Sequence, residues 1–85
     1  MPEVRRGVEK GRRYHQAWVR RVFEPLLGDL SPAERELRLA QLVVATDIYS
    51  WKILRRDLGL ATATVERCLL QMIVAILGRG NPGLG

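Results

Sequence analysis

The segment that most constrains this chain is residues 32–58, which is predicted to form one long helix with two apolar faces. At about 100° per residue, two apolar stripes fall on nearly opposite sides of such a helix. A helix of this kind has to be covered on both faces by other helices or by a second chain. The rest of the 85-residue sequence offers little material for two covers, which indicates a chain that assembles. The first stripe contains Leu37, Ala40, Val44, Ile48, Trp51 and Leu58, and the second contains Leu39, Leu42, Thr46, Tyr49 and Ile53.

Local signals mark the ends of the middle helix. Serine caps helices, proline suits the first helical position, and a glutamate three residues after the cap completes a capping box. Ser31, Pro32 and Glu34 supply all three signals. Gly59 suits the left-handed residue that ends a helix. The middle helix is therefore predicted over residues 32–58.

Two further helices are predicted on either side of the middle one. Residues 3–27 carry an apolar stripe at helical spacing, and Pro25 should bend this helix or end it near Phe23. Residues 62–77 form the third helix, with Thr62 as its cap. No segment alternates with a period of two. We predict an all-α, antiparallel three-helix unit over residues 1–77, followed by a disordered glycine–proline tail over residues 78–85.

Composition excludes several classes of protein. A hydrophobic content of 47% is ample for a folded domain. The apolar run at residues 72–77 is much shorter than the ~20 residues of a membrane span, and no secretory signal is visible. A single cysteine, Cys68, forms no internal disulfide and fits a reducing compartment. We expect a cytoplasmic protein without a membrane segment.

The net charge of +5 is spread along the chain, with acidic residues interleaved among 12 arginines and 2 lysines. A diffuse charge of this kind gives salt-sensitive attraction to nucleic acids without sequence preference. We therefore predict no sequence-specific DNA binding by this chain.

No residues stand at a spacing typical of catalysis. A single histidine and a single cysteine supply no metal-ligand set, and no glycine-rich phosphate loop is present. Cys68 is expected to be a buried small hydrophobe rather than a nucleophile. We predict that the protein is not an enzyme and has no catalytic residue, metal or cofactor.

Four residues have two open interpretations. His15 and Trp18 lie on the apolar stripe of the first helix, and Asp47 and Trp51 lie one turn apart on the middle helix. They are either core residues or ligand-binding residues, because ligand pockets are apolar with a few placed polar groups. As a core residue, Asp47 needs a partner, such as the ring group of Tyr49 or Trp51, an arginine or a neighbouring subunit.

Three segments, residues 18–27, 42–60 and 65–77, together resemble the last three helices of the C-terminal domain of TetR-family transcriptional regulators. The resemblance covers almost the whole chain up to residue 77. Its most specific part is the end of the middle helix, which contains Trp51, Leu54, Arg55, Arg56, Asp57, Leu58, Gly59 and Leu60.

The resemblance implies a homodimer, because the final two helices of that family pair with their mates in a four-helix bundle. It also implies a small apolar effector, although three helices would leave the family's cavity open, which favours core packing for the four residues above. The family's helix-turn-helix is absent from this sequence. The expected dimer interface contains Leu39, Leu42, Thr46, Tyr49, Ile53, Cys68, Met72 and Ala75.

The expected function is therefore that of the dimerisation and partial effector-binding region of a TetR-like regulator, without its own DNA-reading head. Two alternatives remain open. The chain is instead an interaction protein that heterodimerises with full-length TetR-like relatives, or a stand-alone helical module that binds a small molecule or nucleic acid.

Overall fold

The computed structural model describes residues 2–78, and every regular element in this range is helical, which confirms the all-α class. None of these helices is long and apolar enough to cross a membrane. The elements, in chain order, are α1 (Pro2–Phe23) with a 3-10 turn (Glu24–Leu26), α2 (Pro32–Ala45), α3 (Ile48–Lys52) with a π-helical segment (Ile53–Asp57), and α4 (Thr62–Leu77).

The end of α1 and the start of α2 follow the local signals in the sequence. The α-helical part of α1 ends at Phe23, and the chain tightens into the 3-10 turn around Pro25, which cannot donate a helical hydrogen bond. Ser31 caps α2 and accepts a hydrogen bond from the backbone N–H of Glu34 at 3.2 Å. The capping box also requires the Glu34 side chain, but its carboxylate forms an ion pair with Arg38 at 3.1 Å instead.

The prediction of one continuous helix over residues 32–58 is wrong, because the helix is broken at Thr46 and Asp47. Asp47 has an extended conformation (φ −71°, ψ 144°), and its carboxylate accepts a 2.8 Å hydrogen bond from the backbone N–H of Tyr49. Asp47 is thus the N-cap of a new helix, α3. The short α3 and the π-helical segment occupy the rest of the predicted range.

α4 covers the range predicted for the third helix, but its cap differs from the prediction. Ala61 occupies the cap position without a side-chain hydrogen bond, and Thr62 is the first helical residue. Gly59 and Gly78 both adopt left-handed conformations, with φ of +69° and +76°. The predicted disordered tail lies outside the described residues, except for Gly78, which ends α4.

α2 is the central helix, with α1 and α4 packed against it. The buried cluster joins α1 and the following turn to α2, and side chains of α4 close it. The molecule measures 50 × 34 × 16 Å, so its thinnest dimension is less than half of either of the other two. The helices therefore form a thin layer. The buried cluster contains Val19, Phe23, Leu27, Leu39 and Leu42, with Ile73, Ile76 and Leu77 partly buried against it.

Arg38 fixes the end of α4 on α2. Its guanidinium donates a 2.8 Å hydrogen bond to the backbone carbonyl of Ile76, one of the last carbonyls of α4. These carbonyls have no partner within their own helix and carry the negative end of its dipole. A cation from the neighbouring helix therefore satisfies and stabilises this terminus.

Candidate functional site

One side of the central helix carries an uncovered apolar stripe. On a helical wheel, Leu37 and Val44 lie roughly 200–220° from Leu42, which is fully buried. Leu37 is 54% exposed and Val44 is 64% exposed. Ala40 is exposed between them. We call Leu37, Ala40 and Val44 the α2 stripe. Ile48, at the start of α3, is also 64% exposed.

Other elements also expose apolar side chains. Leu70 on α4 is 61% exposed, and Tyr49 and Ile53, in α3 and the π-helical segment, are at least half exposed. Within residues 9–78, thirteen large hydrophobic side chains are exposed, against seven buried hydrophobic residues. Contiguous apolar surface on a soluble domain marks an interaction site. The α2 stripe is the part of this surface that lies on the central helix.

The structure divides the expected dimer interface between the core and the surface. Leu39 and Leu42 are buried in the core of their own chain, so the prediction that they face a partner is wrong. The opposite stripe of the same helix is the exposed one. Of the remaining expected residues, Tyr49, Ile53, Met72 and Ala75 are exposed, and Thr46 and Cys68 are half-buried.

His15 joins α1 to the C-terminal end of α2. Its Nε2 lies 3.0 Å from the Thr46 hydroxyl and 3.2 Å from the backbone carbonyl of Val43. The Thr46 hydroxyl donates its own proton to the carbonyl of Leu42 at 2.7 Å, so it accepts from the histidine. Nε2 of His15 therefore carries a proton that is shared between two oxygens.

Trp18 packs behind His15 on the core side. The two rings stack with centroids 6.0 Å apart, and the rings of Trp18 and Phe23 are nearly perpendicular at the same centroid distance. Trp18 is half-buried against the core cluster. The adjacency of His15 and Trp18 on one face matches the helical spacing in the sequence, and of the two it is Trp18 that packs against the core cluster.

A surface groove of about 470 Å³ brings together two of the four residues considered as ligand-binding. His15 and Asp47 line it, whereas Trp18 and Trp51 do not. Trp51 is 39% exposed on α3. One oxygen of Asp47 is used by the cap, and its other oxygen has no partner among the described residues. The groove is lined by Gly11, Arg12, His15, Gln16, Val43, Thr46, Asp47, Ile48 and Tyr49.

The groove includes polar residues that sequence reasoning did not select. Arg12 and Gln16 face it from α1. Thr46 was assigned to the dimer interface, and its hydrogen bond to His15 crosses 31 positions of sequence. The cap formed by Asp47 did carry a local signal, because aspartate is a preferred N-cap. The contact between Thr46 and His15 carried none.

An ion-pair cluster lies on the surface between α1 and α2. Arg20 binds Glu36 through two hydrogen bonds of 2.7 and 3.0 Å, and it also binds Glu24 at 2.7 Å. The hydrogen bond to Arg20 is the main reason why the pKa of Glu36 lies below its ordinary value. The same bond is the main cause that raises the pKa of Arg20.

No protein-family model, curated protein or solved structure matches this chain. Among the described residues, no group of three or more histidine, cysteine, aspartate or glutamate side chains is placed to hold a metal ion.

Proposed function

We propose that this chain is the dimerisation and partial effector-binding region of a TetR-like transcriptional regulator. Its primary role is to hold two copies together through the α2 stripe. The observation that carries the proposal is the uncovered apolar side of α2, because a central helix is the element that a folded domain normally covers most completely. The TetR assignment rests on the sequence resemblance alone.

The extent of the exposed apolar surface supports a second copy as the occupant. Thirteen large hydrophobic side chains are exposed within residues 9–78, several of them outside the α2 stripe. A stable interface buries about 800 Å² on each partner, which takes more side chains than the α2 stripe alone supplies. The wider exposed surface is therefore available to complete a dimer interface around the stripe.

The composition of the α2 stripe also suits self-association. A two-fold interface places the same patch on both partners, so the patch must be complementary to itself. Leu37 and Val44 are large, and Ala40 between them is small. An alanine at the centre lets two copies of α2 approach closely, with the larger side chains packing on either side of the crossing.

The test is sedimentation velocity at micromolar concentration. We expect a dimer for the wild-type chain and a folded monomer for Val44→Glu, because burying an unpaired carboxylate in the interface is unfavourable. Tyr14→Glu is the matched control: Tyr14 is 70% exposed on α1, away from the stripe, so this variant should remain a dimer. A well-folded wild-type monomer at this concentration would overturn the proposal.

The groove around His15 and Asp47 favours a second, subordinate activity, the binding of a small ligand. It combines apolar walls with a few polar groups, as ligand sites do, although it is open to solvent. A bound ligand should raise the melting temperature by mass action. A thermal-shift screen of small apolar compounds tests this. Any rise should disappear in His15→Ala and persist in Trp51→Ala, because Trp51 lies outside the groove.

A further inference from the structure

The groove around His15 and Asp47 carries opposite charges on its two walls. Arg12 faces it from α1, and Asp47 faces it from the break between α2 and α3. The two side chains form no ion pair with each other, and Arg12 forms none with any other described residue. Asp47 keeps one carboxylate oxygen free, since the other caps α3. The groove therefore offers a cation and an anion that are both available to a ligand.

Neighbouring charged residues do not cancel this arrangement. Glu9 lies one turn before Arg12 on α1, but it neither lines the groove nor pairs with Arg12. Arg13 lines a different groove, between α1 and α2, and Lys52 lines neither of the two. Within the described part of the chain, Arg12 and Asp47 are thus the two charged side chains of this lining. Their charges sum to zero, so a ligand with a single charge leaves one of them unpaired.

Gly11 keeps the α1 wall of the groove open. A glycine inside a helix costs about 1 kcal/mol relative to alanine. Gly11 lies within α1 without a positive φ, and a Cβ atom added to it would meet open space. Neither the backbone conformation nor a close neighbour therefore requires glycine at this position. Its visible effect is to leave room in the groove that it lines.

We propose that this groove binds a zwitterion with an apolar side chain, the chemistry shared by free apolar amino acids and short apolar peptides. Arg12 pairs with the carboxylate of the ligand, which a guanidinium contacts through two parallel hydrogen bonds. The free oxygen of Asp47 pairs with the ammonium group. Val43 and Ile48 supply apolar surface for the side chain. The inference rests on the proposed ligand-binding activity of the groove and is independent of dimerisation through the α2 stripe.

The experiment is an NMR titration of the ¹⁵N-labelled full chain near neutral pH, with compounds that share one apolar side chain. Leucine carries both charges, leucinamide only the ammonium, N-acetyl-leucine only the carboxylate, and 4-methylpentanamide neither. The amide signals of Gly11 and Thr46 report on the two walls. Because the groove is open to water, each lost charge pair should weaken binding by about two- to fivefold. A parallel titration with glycyl-leucine distinguishes a peptide from a free amino acid by which of the two binds more tightly.

Two variants assign the charges to their ligand groups. Arg12→Gln should weaken the binding of leucine and N-acetyl-leucine but not that of leucinamide. Asp47→Asn retains an oxygen for the cap and should weaken the binding of leucine and leucinamide but not that of N-acetyl-leucine. Arg13→Gln is the matched control, because it removes the same charge one residue along α1, outside this groove, and should leave all affinities unchanged.

Gly11→Leu tests the space in the groove. Its side chain should fill the α1 wall and weaken the binding of every compound, while leucine's higher helix propensity keeps α1 folded. Circular dichroism verifies that each variant is folded. Equal binding of all four compounds, or equal weakening by Arg12→Gln and Arg13→Gln, would overturn the zwitterion inference and leave the ligand-binding activity standing. If no compound shifted the signals of Gly11 and Thr46, both would be overturned.

Discussion

At the scale of single residues, the break between α2 and α3 depends on two neighbouring side chains with different roles. Thr46 donates its hydroxyl hydrogen bond back to the carbonyl of Leu42 and accepts a hydrogen bond from His15. Asp47 then caps the next helix through the backbone N–H of Tyr49. Side chains of this type compete with the helical hydrogen bonds of the backbone, which favours a helix end over a continuous helix.

Removal of the cap should therefore weaken this region. Asp47→Ala leaves the Tyr49 N–H without its side-chain acceptor and should lower the free energy of unfolding by about 0.5–2 kcal/mol. Asp47→Asn retains an oxygen acceptor and is the matched control, with little expected change. Urea denaturation followed by circular dichroism measures both. Equal stability of the alanine and asparagine variants would contradict the role of the cap.

At the scale of the elements, α1 and α2 are tied by the Arg20 cluster, and its contribution depends on pH. Because the folded-state pKa of Glu36 is lowered, its stabilising effect is present above the ordinary carboxyl pKa of about 4.3. The effect is lost as the pH falls through the lower folded-state value. The stability difference between the wild type and Glu36→Gln should therefore be largest near neutral pH and shrink below about pH 4.

The control for this pH dependence is Glu66→Gln, since Glu66 is exposed on α4 and has no ion pair among the described residues. In thermal melts between pH 3 and 7, the difference in melting temperature between the wild type and Glu66→Gln should change less with pH than the difference between the wild type and Glu36→Gln. A Glu36→Gln difference that stays constant over this range would contradict the assignment.

The C-terminal end of α4 allows backbone strain to be separated from side-chain crowding. Gly28 and Gly78 both have positive φ, so alanine at either position costs roughly 1–2 kcal/mol. A Cβ atom on Gly78 would also lie 3.0 Å from Nη1 of Arg38, whereas one on Gly28 would meet open space. Gly78→Ala should therefore destabilise the chain more than Gly28→Ala in urea denaturation. This additional loss of stability should disappear when Arg38 is also changed to alanine.

At the scale of the whole molecule, the helices form a thin layer that buries some apolar side chains and leaves others exposed. Leu42 and Trp51, both in the middle segment, should therefore contribute differently to stability. Leu42 is fully buried where α1 meets α2, whereas Trp51 is 39% exposed on α3. The sequence interpretation of Trp51 as a core residue implies a loss of ~3–5 kcal/mol on truncation to alanine. The structure instead places Leu42 in the core and leaves Trp51 partly exposed.

We expect Leu42→Ala to cost about 2–5 kcal/mol, because it leaves a cavity in the buried cluster. Trp51→Ala should cost less than Leu42→Ala in the same denaturation experiment, since much of its surface remains in contact with water. Measurement at several protein concentrations removes the contribution of self-association. A larger loss for Trp51→Ala would contradict this description of the core.

The sequence by itself determined the all-α class and several helix ends, because those features depend on local chemistry. Ser31 and Pro32 begin α2, Pro25 ends the α-helical part of α1, and Gly59 takes the left-handed conformation. Each depends on a cap, a missing donor or a permissive backbone within a few residues. Such interactions are the same whatever the rest of the chain does.

Only the tertiary structure decided which apolar stripe of the middle segment is buried. Leu42 and Val44 are both apolar, and both stripes have helical spacing, so periodicity cannot rank them. The choice depends on the surfaces that α1 and α4 bring to α2, which bury Leu42 and leave Val44 exposed. Long-range contacts likewise placed His15 against Thr46 and paired Glu36 with Arg20, because they depend on how helices pack rather than on neighbouring residues.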